Sequence, residues 1–306
     1  MTPKQLLRLA VALAVLLALW GAVAVGRRLG EGEEERLALP AVDTAAVDSI
    51  VLTRAAETTR LAKSGPGRWT VNGHPAAAGA VGDLLVALRD TAAGGELVAQ
   101  SPGSHGRLGV DSGGTRLRLV GGGRTVLDLV TGHRTRDFDG VYARRADDDA
   151  VYALRGAFPT LLERRVDDWR EKRIAAVQPE SVTAVEIARG RASYRVRKQD
   201  ASWAFDRGGP ADSAAVASLL GQLRDVSASG FATATQADSA RFTPADRRLW
   251  VLGAGERPLL TLLFDSTAGG FWVRHDSGGT IYRMDSWQAD RYTPADSTLR
   301  PRPGDS

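Results

Sequence analysis

Residues 81–90 read Val-Gly-Asp-Leu-Leu-Val-Ala-Leu-Arg-Asp, and residues 216–225 read Val-Ala-Ser-Leu-Leu-Gly-Gln-Leu-Arg-Asp. In both stretches, apolar residues recur at positions i, i+3, i+4 and i+7, which places them on one face of a helix. Pro75 precedes the first stretch and Pro210 precedes the second, and proline is favoured where a helix begins. The pattern therefore predicts the same amphipathic helix twice, about 135 residues apart.

The segments around the two helices also correspond. Strand-like runs at Asp48–Leu52 and Thr183–Ile187 precede them, and each helix follows a tryptophan, Trp69 or Trp203. The matches continue downstream: Leu117 and Leu119 with Leu249 and Val251, residues 126–130 with 259–263, residues 141–144 with 271–274, and residues 151–152 with 281–282. A tryptophan, a helix and a late hairpin in the same order predict an internal duplication.

Each unit reads as three strands, one helix and about four further strands, all short and joined by glycine-rich turns. This favours antiparallel pairing and the α+β class. We expect the first unit at residues 47–157 and the second at residues 181–292. Residues 158–180 are expected to form a connecting helix, and residues 293–306 a mobile tail.

The amino-terminal region contains a long apolar run, Leu9–Val25, which Leu6 and Leu7 extend to about 20 residues. A helix of that length crosses the hydrocarbon core of a bilayer. We therefore expect a membrane anchor at residues 1–30 and a linker at residues 31–46. A cleaved signal peptide is the alternative, because residues 22–24 offer a small-x-small cleavage site.

Basic residues flank the apolar run on both sides, with Lys4 and Arg8 before it and Arg27 and Arg28 after it. A short basic tail before a first helix favours a cytoplasmic amino terminus. The expected location is the inner (cytoplasmic) membrane, with a single pass through the lipid bilayer and the bulk of the chain in the periplasm.

Composition argues against two function classes. The net charge of +4 equals the charge of residues 1–30 alone, so the remainder is balanced and offers no overall field for nucleic acid. The chain has no cysteine, which excludes thiolate nucleophiles and cysteine-based metal sites. We expect no nucleic-acid partner.

Few residues suggest chemistry. His133, Asp137 and Asp139 form the densest polar cluster, which is either a metal or acid–base site or a solvated loop before a strand. The second unit lacks these residues, which favours the loop. No catalytic residue, cofactor site or metal site is therefore predicted, although an enzyme that uses dispersed carboxylates stays a less favoured alternative.

The order of motifs resembles a known family. A single membrane helix leads into units with a tryptophan before a turn, a proline-led Leu-Leu helix and a late Val-Tyr hairpin. The units are joined by Trp-Arg-x-x-Arg-Ile at residues 169–174. This pattern resembles the bacterial family catalogued as domain of unknown function 4340. Members of that family are often encoded beside subunits of an ABC-type transporter similar to those linked to gliding motility, so the resemblance implies a transporter-associated role, and it supplies no catalytic residue.

Two functions from different classes follow. The first is a non-catalytic extracytoplasmic accessory or scaffold protein with transporter subunits as partners. The second is a binding module for an envelope polymer or small ligand, in which Trp69, Trp203 and Trp272 would line a groove. Burial of these three rings favours the first function, and exposure in a groove favours the second.

For the first function, the candidate partner contact is Trp169, Arg170 and Arg173, because tryptophan and arginine are enriched at interface hot spots. The alternative is structural. Trp169 would pack between the two units, and the arginines would pair with Asp167, Asp168 or Glu171.

Overall fold

The computed structural model describes residues 43–55, 57–90, 95–156 and 158–301. The apolar run Leu9–Val25, and with it the predicted anchor, lies outside these residues. Among the described residues, no helix is both long enough and apolar enough to span a bilayer. The chain divides into two compact units, Met1–Arg170 and Glu171–Ser306.

The first unit is built on one antiparallel sheet. Its strands are β1 (Ser49–Arg54), β2 (Glu57–Gly65), β3 (Arg68–Val71), β4 (His74–Pro75), β5 (Glu96–Ala99), β6 (Thr115–Gly121), β7 (Arg124–Arg134), β8 (Gly140–Arg145) and β9 (Val151–Arg155). The sheet order is β4-β3-β2-β1-β6-β7-β8-β9-β5. The helices are α1 (Ala78–Asp90), α2 (His105–Leu108), α3 (Phe158–Leu162) and α4 (Val166–Trp169), with a 3₁₀ turn at Pro102–Ser104.

The core of the first unit lies on one face of this sheet. Alternation puts Ile50 and Leu52 of β1 on that face, and the register pairs Ile50 with Leu119 and Leu52 with Leu117 of β6. Helix α1 buries Val81, Leu84 and Leu88 in the same core. The i, i+3, i+7 spacing therefore forms the buried stripe that the sequence predicts.

The second unit repeats this plan. Its strands are β10 (Arg173–Ala175), β11 (Ala184–Arg189), β12 (Ala192–Gln199), β13 (Ser202–Phe205), β14 (Val226–Ser227), β15 (Gly230–Phe231), β16 (Arg247–Leu252), β17 (Pro258–Thr267), β18 (Gly270–His275) and β19 (Tyr282–Asp285). The helices are α5 (Ser213–Gln222), α6 (Ala234–Ser239) and α7 (Ser286–Tyr292), with 3₁₀ turns at Pro179–Ser181, Ala254–Glu256 and Asp296–Leu299. The main sheet has the order β13-β12-β11-β16-β17-β18-β19-β15, and β10 pairs with β14.

The two main sheets have the same strand order. From β3 to β5 in the first sheet, each strand has a counterpart at the same place between β13 and β15 in the second. Helices α1 and α5 follow equivalent strands. The mainly antiparallel α+β class is confirmed. One detail of the helix prediction is wrong, because Leu85 is only partly buried whereas Leu220 is buried.

The expected connecting helix at residues 158–180 is wrong, since that segment is not one helix. It contains α3 and α4, and then β10, which already belongs to the second unit. Arg165 breaks the helical path by adopting an extended conformation, and its N–H donates to the Asp168 carboxylate to start α4.

The expected mobile tail also needs correction over its described part, residues 293–301. Thr293 and Leu299 are buried, and Leu299 belongs to the core of the second unit. The Asp212 N–H donates to the Leu299 carbonyl at 2.8 Å, just as the Ala77 N–H donates to the Trp169 carbonyl at 2.8 Å. Each unit thus ends on a short helical segment docked beside the start of its long helix.

Candidate functional site

Trp169 lies inside the first unit rather than on a surface. Its side chain is fully buried in the core that contains α1. The guanidinium of Arg164 lies over the indole, 5.2 Å from the ring centroid. The prediction that Trp169 contacts a partner is therefore wrong, because no part of the ring is accessible. Its role is to pack within one unit, not between two.

The two arginines of the predicted contact have different environments. Arg170 is only 12% exposed and donates from Nη1 to the Asp167 carboxylate at 3.4 Å, as the structural alternative expected. Arg173 is exposed in β10, and its backbone N–H donates to Glu171 Oε1 at 2.9 Å. Arg170 ends the first unit and Arg173 lies in the second. Among the three residues of the predicted contact, Arg173 is the one with an exposed side chain.

The tryptophans that separate the two functional hypotheses are buried. Trp69 belongs to the core of the first unit, and Trp203 belongs to the core of the second. Trp272 packs in a smaller cluster with Phe242 and Leu263. These three rings are therefore buried in cores and do not line a groove.

The polar cluster of His133, Asp137 and Asp139 is not one site. His133 Nδ1 lies 3.3 Å from the Arg107 carbonyl oxygen, whereas both aspartates pair with Arg155, at 2.6 and 3.3 Å. The Thr135 hydroxyl and then Arg155 lower the pKa of Asp137. In the part of the chain that the structure describes, no group of three histidine, aspartate or glutamate side chains could hold a metal ion.

These polar residues instead brace a turn that exposes an aromatic side chain. Phe138 lies between β7 and β8, is 75% exposed, and has a positive φ of 58°. Its N–H donates to the Thr135 carbonyl at 3.0 Å, and the Gly140 N–H donates to the Thr135 hydroxyl at 3.0 Å. A bulky residue in the left-handed region costs roughly 1–2 kcal/mol, and such strain persists only where surrounding contacts hold it.

The Phe138 turn lies far from the place where the chain joins the first sheet. Asp48 precedes β1 and accepts a hydrogen bond from the Gly122 N–H at 2.7 Å, so the chain joins the sheet beside the β6–β7 turn. Strand β7 runs 11 residues from that turn, or roughly 35 Å at about 3.3 Å per residue. The Phe138 turn is therefore at the opposite end of the sheet.

Phe138 is not among the residues that the sequence predicts as functional, because the carboxylates on either side of it have the more obvious chemistry. The available signal was a lone aromatic residue in the polar run Thr135-Arg136-Asp137-Phe138-Asp139. A large apolar side chain in a turn with no apolar neighbour has no core to enter, so it faces solvent or a partner.

The second unit has a cleft between α5, α7 and the segment 294–300, with a volume of about 670 Å³. Trp287 lines it and is 58% exposed, with the Arg291 guanidinium 5.9 Å from the ring centroid. Gln222 also lines the cleft, and its Oε1 atom is buried without a hydrogen-bond partner among the described residues. Neither residue was singled out from the sequence.

Comparison with known protein families finds a match to one family model. The family model described as Domain of unknown function (DUF4340) matches residues 69–245, which is more than half of the 306 residues. No curated protein and no solved structure matches the chain. The match runs from Trp69, through α1 and α5, to the residues before β16. The chain therefore belongs to the family described as Domain of unknown function (DUF4340).

Proposed function

We propose that this protein is a non-catalytic accessory or scaffold protein, anchored in the inner membrane by residues 1–30 and bound to subunits of an ABC-type transporter. The apolar run Leu9–Val25 supports the anchor, and the basic tail before it supports a periplasmic location for the remainder. The transporter partner rests on what the family resemblance implies.

We also propose that the two units are copies of one ancestral unit. The shared strand order, the matched helix stripes and the equivalent hydrogen bonds at Trp169 and Leu299 support this. Duplicated units that have diverged at their surfaces suit a scaffold, because each copy can present a different contact on the same framework.

The observation that carries the partner proposal is the exposed Phe138 on its braced turn. A rigid aromatic side chain loses little conformational entropy when it enters a pocket on a partner, and such anchors dominate interface energetics. The turn lies at the end of the sheet away from Asp48, where the chain enters the first unit. Arg173 is a second proposed contact, since its side chain is exposed.

The test is co-purification of the full chain from gently solubilised membranes. Phe138→Ser should lower recovery of transporter subunits at least fivefold, about 1 kcal/mol of binding free energy, while far-UV circular dichroism stays unchanged. Trp287→Ala removes an exposed aromatic ring from the other unit and is the matched control. Arg173→Ala should give a smaller loss. Equal recovery with Phe138→Ser and wild type would remove the basis for this proposal.

A second candidate function is a ligand-binding module, and the cleft at Trp287 favours it. The cleft volume of about 670 Å³ is within the range of small-molecule sites. The two functions are compatible, because the cleft and the Phe138 turn belong to different units.

A further inference from the structure

We infer that the cleft between α5, α7 and the segment 294–300 binds a neutral sugar ring, stacked on Trp287 and hydrogen-bonded to the hydroxyl groups that line the cleft. This inference rests on the second candidate function and names its ligand class. Three observations support this inference. The second unit has a cleft where the first unit is filled, and an exposed indole forms part of the cleft rim. The polar groups of the cleft suit a hydroxylated ligand better than a charged one.

The first observation is that the matching place in the first unit is filled. There Arg164 donates to the Ala80 carbonyl at 3.0 Å and to the Asp83 carboxylate at 3.1 Å, and it lies over Trp169. This arginine closes the space between α1 and the segment that ends the unit.

The second unit replaces each of these closing groups. The equivalent hydrogen bonds at Trp169 and Leu299 align the last segments and place Pro294 where the first unit has Arg164. The matching helix stripes place Ser218 where the first unit has Asp83. Pro294 and Leu299 are smaller than Arg164 and Trp169, so the space stays open as the cleft.

The second observation is the exposed indole on the rim. Trp287 contributes a flat apolar face, although a tryptophan on a short surface helix has no structural need for 58% exposure. One face of a pyranose ring carries several C–H bonds whose positive hydrogens complement the negative face of an indole. A sugar ring therefore stacks on Trp287 while its hydroxyls stay free to bond.

The third observation is the set of polar groups on the cleft wall. Ser218, Ser297 and Thr298 line the cleft, and each of their hydroxyls can donate and accept a hydrogen bond. Gln222 lines the cleft as well. These groups suit the hydroxyls of a sugar, which also both donate and accept.

Three of the four charged groups that line the cleft have hydrogen-bond or ion-pair partners, and the fourth, Arg291, lies beside the Trp287 ring. The Asp212 carboxylate accepts from Ala214 N–H at 2.8 Å and so caps α5, while Asp290 pairs with Arg247 at 2.6 Å. Arg300 pairs with Asp296 at 3.2 Å. Two aspartates and two arginines line the cleft in total. With no net charge, the site suits a neutral hydroxylated ligand better than a carboxylate or phosphate.

The test measures disaccharide binding by the full chain in lipid nanodiscs, because maltoside and glucoside detergents are themselves sugars. The probes are N,N′-diacetylchitobiose and cellobiose, followed by saturation-transfer NMR and isothermal calorimetry. Wild type should bind at least one of them, and Trp287→Ala should weaken that affinity at least tenfold. Phe138→Ala, which removes the exposed ring of the other unit, should leave the affinity unchanged.

A second variant tests the cleft without touching Trp287. Ser218→Asp combined with Pro294→Arg rebuilds the closing groups of the first unit and should abolish sugar binding, with circular dichroism unchanged. The inference is overturned if wild type binds neither disaccharide at a ligand concentration of about 20 mM, because a dissociation constant above that concentration is too weak to be useful. It is also overturned if Trp287→Ala binds as well as wild type.

The result is separable from the partner proposal. If Trp287→Ala loses sugar binding but still recovers transporter subunits fully, the result supports the sugar site in the cleft and says nothing against the partner proposal. Absence of sugar binding in wild type, with recovery of subunits that depends on Phe138, overturns the cleft inference and leaves the partner proposal standing.

Discussion

Phe138 is an exposed aromatic residue between two aspartates that have the more obvious chemistry in the sequence. Asp137 and Asp139 look like metal ligands in the sequence, yet both pair with Arg155 and serve to hold the turn. The residue between them has its side chain in solvent and its backbone at a φ of 58°. Sequence alone gives the polar context but not the backbone conformation, because strain at one residue depends on the surrounding hydrogen bonds.

Asp128 makes the pH dependence of the first unit testable. Its carboxylate accepts from Arg116 at 2.8 Å and from Arg118 at 3.1 Å, and the bond from Arg116 is the main cause of its lowered pKa. Because the folded pKa is depressed, the stabilisation is present above the unfolded value of about 3.9 and is lost as pH falls through the folded value. Asp128→Asn should therefore lower the free energy of unfolding by about 0.5–1 kcal/mol at pH 7, a size limited by the solvent exposure of the pair.

Urea unfolding between pH 2.5 and pH 7 checks this expectation. The difference between Asp128→Asn and wild type should shrink below about pH 4 and vanish in acid, because wild-type Asp128 is then protonated. Asp200→Asn, in an exposed turn of the second unit, is the control. A difference that stays constant over the whole pH range would contradict the account.

At the scale of elements, α1 and α5 are the parts that the sequence predicted best. Leu84 and Leu219 hold equivalent places in the two cores and are almost fully buried. Changing either to alanine should cost about 2–5 kcal/mol, the range for truncated core leucines. Val86→Ala changes an exposed position on α1 and should stay within about 0.5 kcal/mol. Denaturant unfolding measures all three, and a Leu84→Ala effect no larger than that of Val86→Ala would refute the assigned packing.

The predicted helices were correct because their signal is a period of apolar residues that a single segment carries by itself. The last segment of each unit carries no such signal. When residues 166–170 are aligned with residues 296–300, only the final arginine is shared. Their equivalence lies in one backbone hydrogen bond to the start of the long helix. The sequence pattern therefore predicts a connector at Trp169 and a mobile tail at Leu299, although both are core residues.

The cleft could not be predicted for a related reason. Its existence depends on Pro294 and Ser218 replacing Arg164 and Asp83, residues about 70–80 positions apart within each unit. Neither pair is close in sequence, and only the packing of the last segment on the long helix brings them together. Such long-range juxtapositions leave no local pattern.

At the scale of the whole molecule, the two units have main sheets of the same strand order and differ in what they expose. The first presents Phe138 on a braced turn and closes its helix face with Arg164. The second has Ala268 and Gly269 at the matching turn between β17 and β18, and it leaves its helix face open at Trp287. We infer that duplication supplied the framework and that the proposed functions lie in the differences between the copies.

The central claim is that Phe138 docks on a membrane transporter, and crosslinking in intact cells tests it most directly. A photoreactive benzoyl-phenylalanine replaces Phe138 in the full chain, and the same group at the exposed, solvent-facing Val86 is the control. After irradiation, position 138 should give adducts with transporter subunits in the membrane fraction, and position 86 should not. Adducts at position 138 only with lipid, or with no protein, would contradict the claim.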